Sequence, residues 1–273
     1  MSVRLAVVGH PIAHSLSPVM HRAALAALGR HDVTYDAIEV APAALASELS
    51  RLFAEGYRGS NVTLPHKLAV LAHCVEVDDV ARAIGAANTL SLSPRGWVAT
   101  NTDAPGLARS LEESGVEVGG ARAVVLGTGG AARAAALALS GADELVVVGR
   151  RVEVAREVAT LHRRGRAASW LGLGDALAQA ALLVQATSAT LGTGAEAFAS
   201  SIPLDRMPAS STVVDLVYRP RVTALLARAE ARGLRTVDGV GMLVHQGALA
   251  LERWLGVRAP TDVMREAVLA ALA

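Results

Sequence analysis

The residues of this chain that could bind and transform a ligand sit at the ends of its apolar runs. Ala123-Val124-Val125-Leu126 leads into Gly127-Thr128-Gly129-Gly130-Ala131-Ala132, in which Gly127, Gly129 and Ala132 fit the G-x-G-x-x-G/A spacing of a dinucleotide turn. Glycine lacks a Cβ, so such a turn can press backbone N–H groups against a diphosphate, and a helix starting at Ala131 would aim its positive end at the same anion. A second run, Glu144 to Val148, ends in Gly149-Arg150-Arg151. A chain that binds NAD would carry Asp or Glu there for the ribose 2′-hydroxyl. Arginine suits a 2′-phosphate instead, through its planar fork of donors. Taken singly, the glycines could merely turn the chain and the arginines could be a solvated strand end. Their succession favours NADP (NADPH) as the cofactor.

Three other loops carry polar chemistry. Gly9-His10-Pro11-Ile12-Ala13-His14-Ser15-Leu16-Ser17-Pro18 lies between a strand and a helix, where a sheet of this kind places ligands. Ser17 before Pro18 also reads as an N-cap, and a helix start with two spare hydroxyls is a seat for a carboxylate. In Asn61-Val62-Thr63-Leu64-Pro65-His66-Lys67, Pro65 is placed to open a short helix, with Lys67 in its first turn. A cation there opposes the helix dipole, which marks Lys67 as either functional or plain surface charge. Asn101-Thr102-Asp103 precedes a helix from Ala104 to Glu113, and Thr102 or Asp103 could cap it. His66, His73 and Cys74 match no familiar ligand spacing, so no metal is expected.

Elements able to position these loops follow from the hydrophobic pattern. Strands are expected at Val3 to Val8, Val33 to Ile38 and Gly59 to Val62, with helices from Pro18 to Leu28 and from Pro42 to Ala54. A helix from Asp78 to Ile84 leads to a hairpin, 87–92 and 97–100, turning at Ser93-Pro94-Arg95-Gly96. Beyond the glycine turn come a helix Val152 to His162, strands Ala181 to Ala186 and Thr212 to Leu216, a helix Val222 to Ala231 and a strand Arg235 to Val237. Two last helices, Met242 to Leu255 and Thr261 to Leu272, leave the nucleotide pattern and return to the first domain. The fold class is α/β: an N-terminal α/β substrate domain, 1–103 with 239–273, and a doubly wound Rossmann-type NADP-binding domain, 104–238.

Composition narrows the partners. At 273 residues and 52% hydrophobic the chain can bury two domain cores. Lys+Arg 26 against Asp+Glu 25 leaves a net charge of +1 with no block of like charge, which suggests neither nucleic acid nor an anionic membrane. The uncharged run 176–195 is broken by polar residues and cannot span a bilayer. A single cysteine, Cys74, and a start that enters a strand directly favour a reducing, cytoplasmic home for a small-molecule enzyme.

The loops at 9–18, 59–67 and 101–103, together with Gly241-Met242-Leu243-Val244-His245-Gln246-Gly247, resemble the shikimate dehydrogenase family, and the likeness spans almost the whole chain. That resemblance implies NADP-dependent reduction of 3-dehydroshikimate to shikimate, in a monomer or homodimer. It implies that Ser15 and Ser17 hold the substrate carboxylate and that Asn61, Thr63, Lys67, Asn88, Asp103 and Gln246 line the ring hydroxyls, with Lys67 and Asp103 as the catalytic pair. The proton needed on the ketone oxygen would come from Lys67, positioned by its carboxylate neighbour. His66 is read as packing or surface. On the cofactor side it implies Gly127, Thr128, Gly129, Gly130, Ala131, Gly149, Arg150, Arg151 and Thr187, with Leu216 and Gly239 near the nicotinamide and Tyr218 at its junction with substrate.

The chain departs from the family pattern in four places. Gln185 stands for Asn, Thr190-Leu191 for Gly-Met, Gly149 for Asn and Arg151 for Thr. Relatives acting on quinate or an aminated shikimate are the nearest alternative, and the plain serines 15 and 17 lean towards shikimate. A non-catalytic NADP sensor would have no need of Lys67 and Asp103.

Overall fold

The N-terminal alternation of apolar and amphipathic runs folds as a layered sheet in the computed structural model, which describes residues 2–273. Strand β1 (Val3–Gly9) is followed by helix α1 (Ser17–Ala27), β2 (Val33–Glu39), α2 (Leu45–Ala54), β3 (Gly59–Val62), β4 (Glu76–Val77), α3 (Asp79–Ile84), β5 (Thr89–Ser93), β6 (Gly96–Thr100) and α4 (Asp103–Glu113). β1 pairs in parallel with both β2 and β3. The expected hairpin β5–β6 then makes the sheet mixed, because β5 lies antiparallel to β3; the order is β2-β1-β3-β5-β6-β4. One face is covered by Leu45, Leu49 and Leu52 of α2, packed with Ala6, Val8, Val62 and Leu90.

The next stretch builds a second sheet. Its elements are β7 (Arg122–Leu126), α5 (Gly130–Ala138), β8 (Glu144–Val148), α6 (Val152–Ala159), β9 (Gly165–Ala168), α7 (Leu173–Leu177), β10 (Leu182–Gln185), α8 (Ala195–Ser200), β11 (Thr212–Asp215), α9 (Ala224–Ala231) and β12 (Arg235–Val237). All of its pairings are parallel, in the order β12-β11-β10-β7-β8-β9, the doubly wound arrangement with its switch point between β7 and β10. The two-residue period of β7 divides the core: Ala123 and Val125 face the layer of α5 and α6, whereas Val124 and Leu126 face that of α7 to α9.

α10 (Val240–Leu255) and α11 (Thr261–Leu272) close the chain. Trp254 of α10 donates its indole N–H to the Leu90 carbonyl at 2.9 Å, and Arg58 donates to the Trp254 carbonyl at 2.6 Å, which ties the C-terminal helices to the first sheet. The chain separates into one unit reaching to Gly106 and resuming at Leu243–Ala271 with Ala273, and another of Leu107–Met242 with Leu272. The changes of unit fall inside α4 and α10. Gly106 explains the first: a Cβ there would stand 2.7 Å from the Gln246 backbone nitrogen, so its absence lets the first turn of α4 lie directly on α10. Leu107 and Leu111 of the same helix belong to the core of the other unit.

Two local expectations are corrected, and two strands form that the sequence pattern did not suggest. Residues 64–68 form turns before a 3-10 helix at Ala69–His73, so Lys67 is not in a helix's first turn; the Lys67 carbonyl instead accepts the Ala87 N–H at 2.8 Å, tying this loop to the start of β5. Ser17 is the first residue of α1 and does not cap it, Leu16 holding the cap position. The polar edge strand β9 and the short β4 lack any alternating pattern, and pairing with β8 and β6 creates them. Among the described residues no helix is long and apolar enough to cross a membrane, and no group of three or more His, Cys, Asp or Glu side chains could hold a metal ion.

Candidate active site

The loop after β3 and the first residue of α4 meet as an ion pair. Lys67 Nζ donates to Asp103 Oδ2 at 2.5 Å, with the two side chains 16% and 4% exposed. Asp103 is free for this role because Asn101 takes over the capping: Asn101 Oδ1 accepts the Ala104 N–H at 3.1 Å, and its amide donates to the Ala86 carbonyl at 2.9 Å. That corrects the expectation that Thr102 or Asp103 caps the helix. The other Asp103 oxygen accepts from Asn88 Nδ2 at 2.9 Å, and the same amide lies 3.1 Å from Gln246 Oε1 and 2.9 Å from Thr102 Oγ1. Three acceptors share two hydrogens, so Asn88 locks Asp103, Thr102 and Gln246 into one cluster.

Other residues singled out from the sequence border the same sheet end. Asn61 is 5% exposed, and its amide donates to the Asn88 carbonyl at 3.2 Å and Thr89 Oγ1 at 3.3 Å. Thr63 is part-buried, with its methyl group over Gly9. Ser15 Oγ accepts the Ser17 N–H at 3.3 Å, so the two serines are fixed together at the start of α1. His66 is buried with Nε2 2.6 Å from the Val40 carbonyl, a packing role. Tyr35, which the sequence reading missed, donates its hydroxyl to Asn61 Oδ1 at 2.6 Å. A lone tyrosine in a strand pattern carries no signal of that contact.

In the second unit the glycine turn leaves β7 at the switch point. Gly127 has φ +119°, and a Cβ on it would stand 2.9 Å from the Thr187 methyl and 3.1 Å from the Ala186 carbonyl, so only glycine lets the two loops approach. Gly129, by contrast, faces open space, and α5 begins at Gly130. A bared backbone at a helix N-terminus fits a diphosphate. Arg150 and Arg151 are exposed beyond β8, Thr128 and Thr187 flank the turn, and Gly239 backs against the Leu216 carbonyl. Tyr218 lies past the end of β11 in this unit.

Two of the departures from the family pattern are paired with a neighbour. A Cβ at Gly149 would meet the Thr128 methyl at 2.7 Å, so Thr128 fills the space that a side chain at 149 would need. Gln185 donates to Thr190 Oγ1 at 2.9 Å and to Asp215 Oδ1 at 3.1 Å, while its Oε1 accepts the Thr187 N–H at 2.6 Å. The longer amide therefore reaches a hydroxyl that a glycine at 190 could not supply.

Asp215 is the hub of this second network, fully buried and accepting also from the Val217 N–H at 3.0 Å and from Thr223 Oγ1 at 2.8 Å. Burial raises its carboxyl above the usual range, against the opposing effect of those hydrogen bonds. With a raised folded value, the unfolded chain ionises first, so stability falls as pH rises from the ordinary to the raised value. Asp215→Asn has no such proton. The unfolding free energy of wild type minus variant, from urea titrations between about pH 4 and about pH 7, is expected to decrease with pH. A difference independent of pH would mean that Asp215 does not titrate as its burial requires.

A doubly wound unit with a bared glycine turn, sharing a chain with a lysine–carboxylate cluster, places this protein in the class of nucleotide-linked oxidoreductases. Two family models match: the shikimate dehydrogenase substrate binding domain over residues 7–90 and the shikimate 5′-dehydrogenase C-terminal domain over residues 239–269. The shikimate dehydrogenase (NADP(+)) of Symbiobacterium thermophilum is 44% identical, over 98% of this chain and 94% of that one. Among solved structures, shikimate 5-dehydrogenase from Thermus thermophilus, in complex with NADP(H) and shikimate, superposes with a TM-score of 0.87 at 40% identity, covering 99% of this chain and 100% of that one. Quinate dehydrogenase from Corynebacterium glutamicum, in complex with NAD, reaches 0.87 at 30% identity over 98% and 99%. The chain belongs to the shikimate dehydrogenase family.

Proposed function

We propose that this protein is an NADP-dependent shikimate dehydrogenase that reduces 3-dehydroshikimate to shikimate. The observation that carries the reading is the Lys67–Asp103 pair, held by Asn88 beside Gln246. Support comes from its relatives, whose names and complexes pair shikimate with NADP. When bound, NADPH supplies the hydride. Lys67 Nζ donates a proton to the ketone oxygen as negative charge grows there, and Asp103 keeps that nitrogen aimed. Ser15 and Ser17 hold the carboxylate, Asn61, Thr63, Asn88 and Gln246 receive the ring hydroxyls, and Tyr218 is a further substrate-binding residue. Gly127, Thr128, Gly129, Gly130 and Ala131 take the diphosphate, Gly149, Arg150 and Arg151 the adenosine end with its 2′-phosphate, and Thr187, Leu216 and Gly239 the nicotinamide end.

A single cysteine, Cys74, which can form no disulfide within the chain, fits the reducing cytoplasm proposed here. The likeness to a quinate dehydrogenase favours a second reading, a preference for quinate. One assay separates the two: purified protein with NADPH is offered 3-dehydroshikimate and, separately, 3-dehydroquinate, and nicotinamide absorbance is followed. Faster loss with 3-dehydroshikimate is expected. Faster loss with 3-dehydroquinate would select the second reading, and no loss with either would sink the enzyme assignment for these substrates.

A further inference from the structure

Tyr35 lies on β2, 1% exposed, with its backbone carbonyl accepting from Arg22 Nη2 at 2.9 Å. The His21 ring stacks on it, centroids 4.2 Å apart and planes 10° from parallel. Burial pushes His21 down to about 3, so the stack is neutral and cannot pull the tyrosine hydroxyl toward itself as a charge would. Trp254 leans on the same ring pair at 6.4 Å from Tyr35. The phenol is therefore held by packing on its faces, with the Ser17 side chain beside its hydroxyl, and it donates to Asn61 Oδ1 at 2.6 Å.

The bond to Asn61 bears on the amide it meets. Asn61 commits both N–H groups inward, to the Asn88 carbonyl and to Thr89 Oγ1. Thr89 Oγ1 in turn lies 3.2 Å from Asn88 Oδ1 and 3.1 Å from Thr102 Oγ1, and Asn88 Nδ2 donates to Asp103. A continuous chain of hydrogen bonds thus runs from Tyr35 through Asn61, Thr89 and Asn88 to the carboxylate that holds Lys67. With the amide so oriented, the group Asn61 presents to a ligand hydroxyl is Oδ1, an acceptor, and not an N–H.

We propose that Tyr35 is a positioning residue of the substrate site: its hydroxyl fixes the Asn61 amide so that the site offers a carbonyl oxygen, and no N–H, to a ring hydroxyl. The inference rests on the proposed substrate for its kinetic consequence but not for the amide orientation itself. Tyr35→Phe keeps the ring, the stack and the volume and removes one oxygen. The KM for shikimate is expected to rise about five- to tenfold, with kcat and the KM for NADP+ moving less than about twofold. In an Asn61→Ala background the same substitution should change the shikimate KM by less than about twofold, because the group it orients is gone.

Nitrogen-15 spectra of the free protein supply a readout that needs no substrate: the side-chain amide signals of Asn61 and Asn88 should shift in Tyr35→Phe. Unmoved amide signals would overturn the proposal whatever the kinetics. So would an equal KM change with and without Asn61, since that is the mark of a general loss of packing. Wild-type protein that fails to oxidise shikimate would instead defeat the functional reading, and the amide signals would still decide the role of Tyr35.

Discussion

Lys67→Ala is expected to lower turnover of 3-dehydroshikimate by about 10²–10⁴-fold, the range that a positioned general acid supplies, while shikimate affinity changes far less. The expectation follows from where the ammonium sits. It is 16% exposed and paired with a carboxylate that is 4% exposed, and among the described residues Asp103 is its hydrogen-bond acceptor. Two of its three hydrogens remain for a substrate oxygen. Removing the lysine also leaves Asp103 buried without its counter-charge, so a folding defect must be separated from a chemical one. Asp103→Asn does this: it retains an oxygen for Asn88 and removes the charge that aims Lys67. It should lose turnover without losing the cluster, and joining it to Lys67→Ala should cost much less than the product of the single losses. Steady-state kinetics of the three variants provide the check. Turnover in Lys67→Ala within a few-fold of wild type would reduce Lys67 to a surface cation.

Removing both guanidinium groups of the β8 loop, as Arg150→Ser with Arg151→Ser, should raise the KM for NADPH about tenfold or more and leave that for NADH nearly unchanged. Both side chains are exposed beyond Val148, so the change touches no core. A charge-assisted bond to a 2′-phosphate has no counterpart in NADH, and the loss should shrink as salt is added. Gly149 contributes by having no side chain: Thr128 fills the space beside it, and the two arginines are the cations that this loop carries. Equal losses for NADPH and NADH would place the phosphate elsewhere.

Local periodicity made much of the framework legible. The runs at β1, β7 and β8 are short, largely apolar and bounded by glycine or polar turns, and each became a strand within a residue or two of its expected limits. The hairpin at 93–96 and the late helices were legible for the same reason, since turn residues and amphipathic spacing act over a few residues. Strands β4 and β9 were not, because an edge strand of mixed polarity owes its conformation to the neighbour it pairs with. The end of α6 at Ala159, short of the expected His162, is likewise a tertiary effect: His162 is buried, with Nε2 3.1 Å from the Ala142 carbonyl.

What the sequence alone determined was the class of chemistry: a glycine turn after one strand, arginines after the next, and serine, lysine and aspartate loops whose likeness to a family implies the roles proposed for them. Residue type and spacing suffice for that, because a phosphate cradle is made of consecutive backbone groups. The meeting of Lys67 with Asp103 is of another kind. No periodicity links the loop after β3 to the first turn of α4. They meet because the β5–β6 hairpin lies against β3, because Asn101 caps the helix in place of Asp103, and because Gly106 lets α10 bring Gln246 close. The same holds for Tyr35 under Asn61 and for Gln185 on Asp215. Gln185 and Asp215 end adjacent strands, whereas Tyr35 on β2 reaches Asn61 on β3 across β1, and only the tertiary structure decides which strands come together.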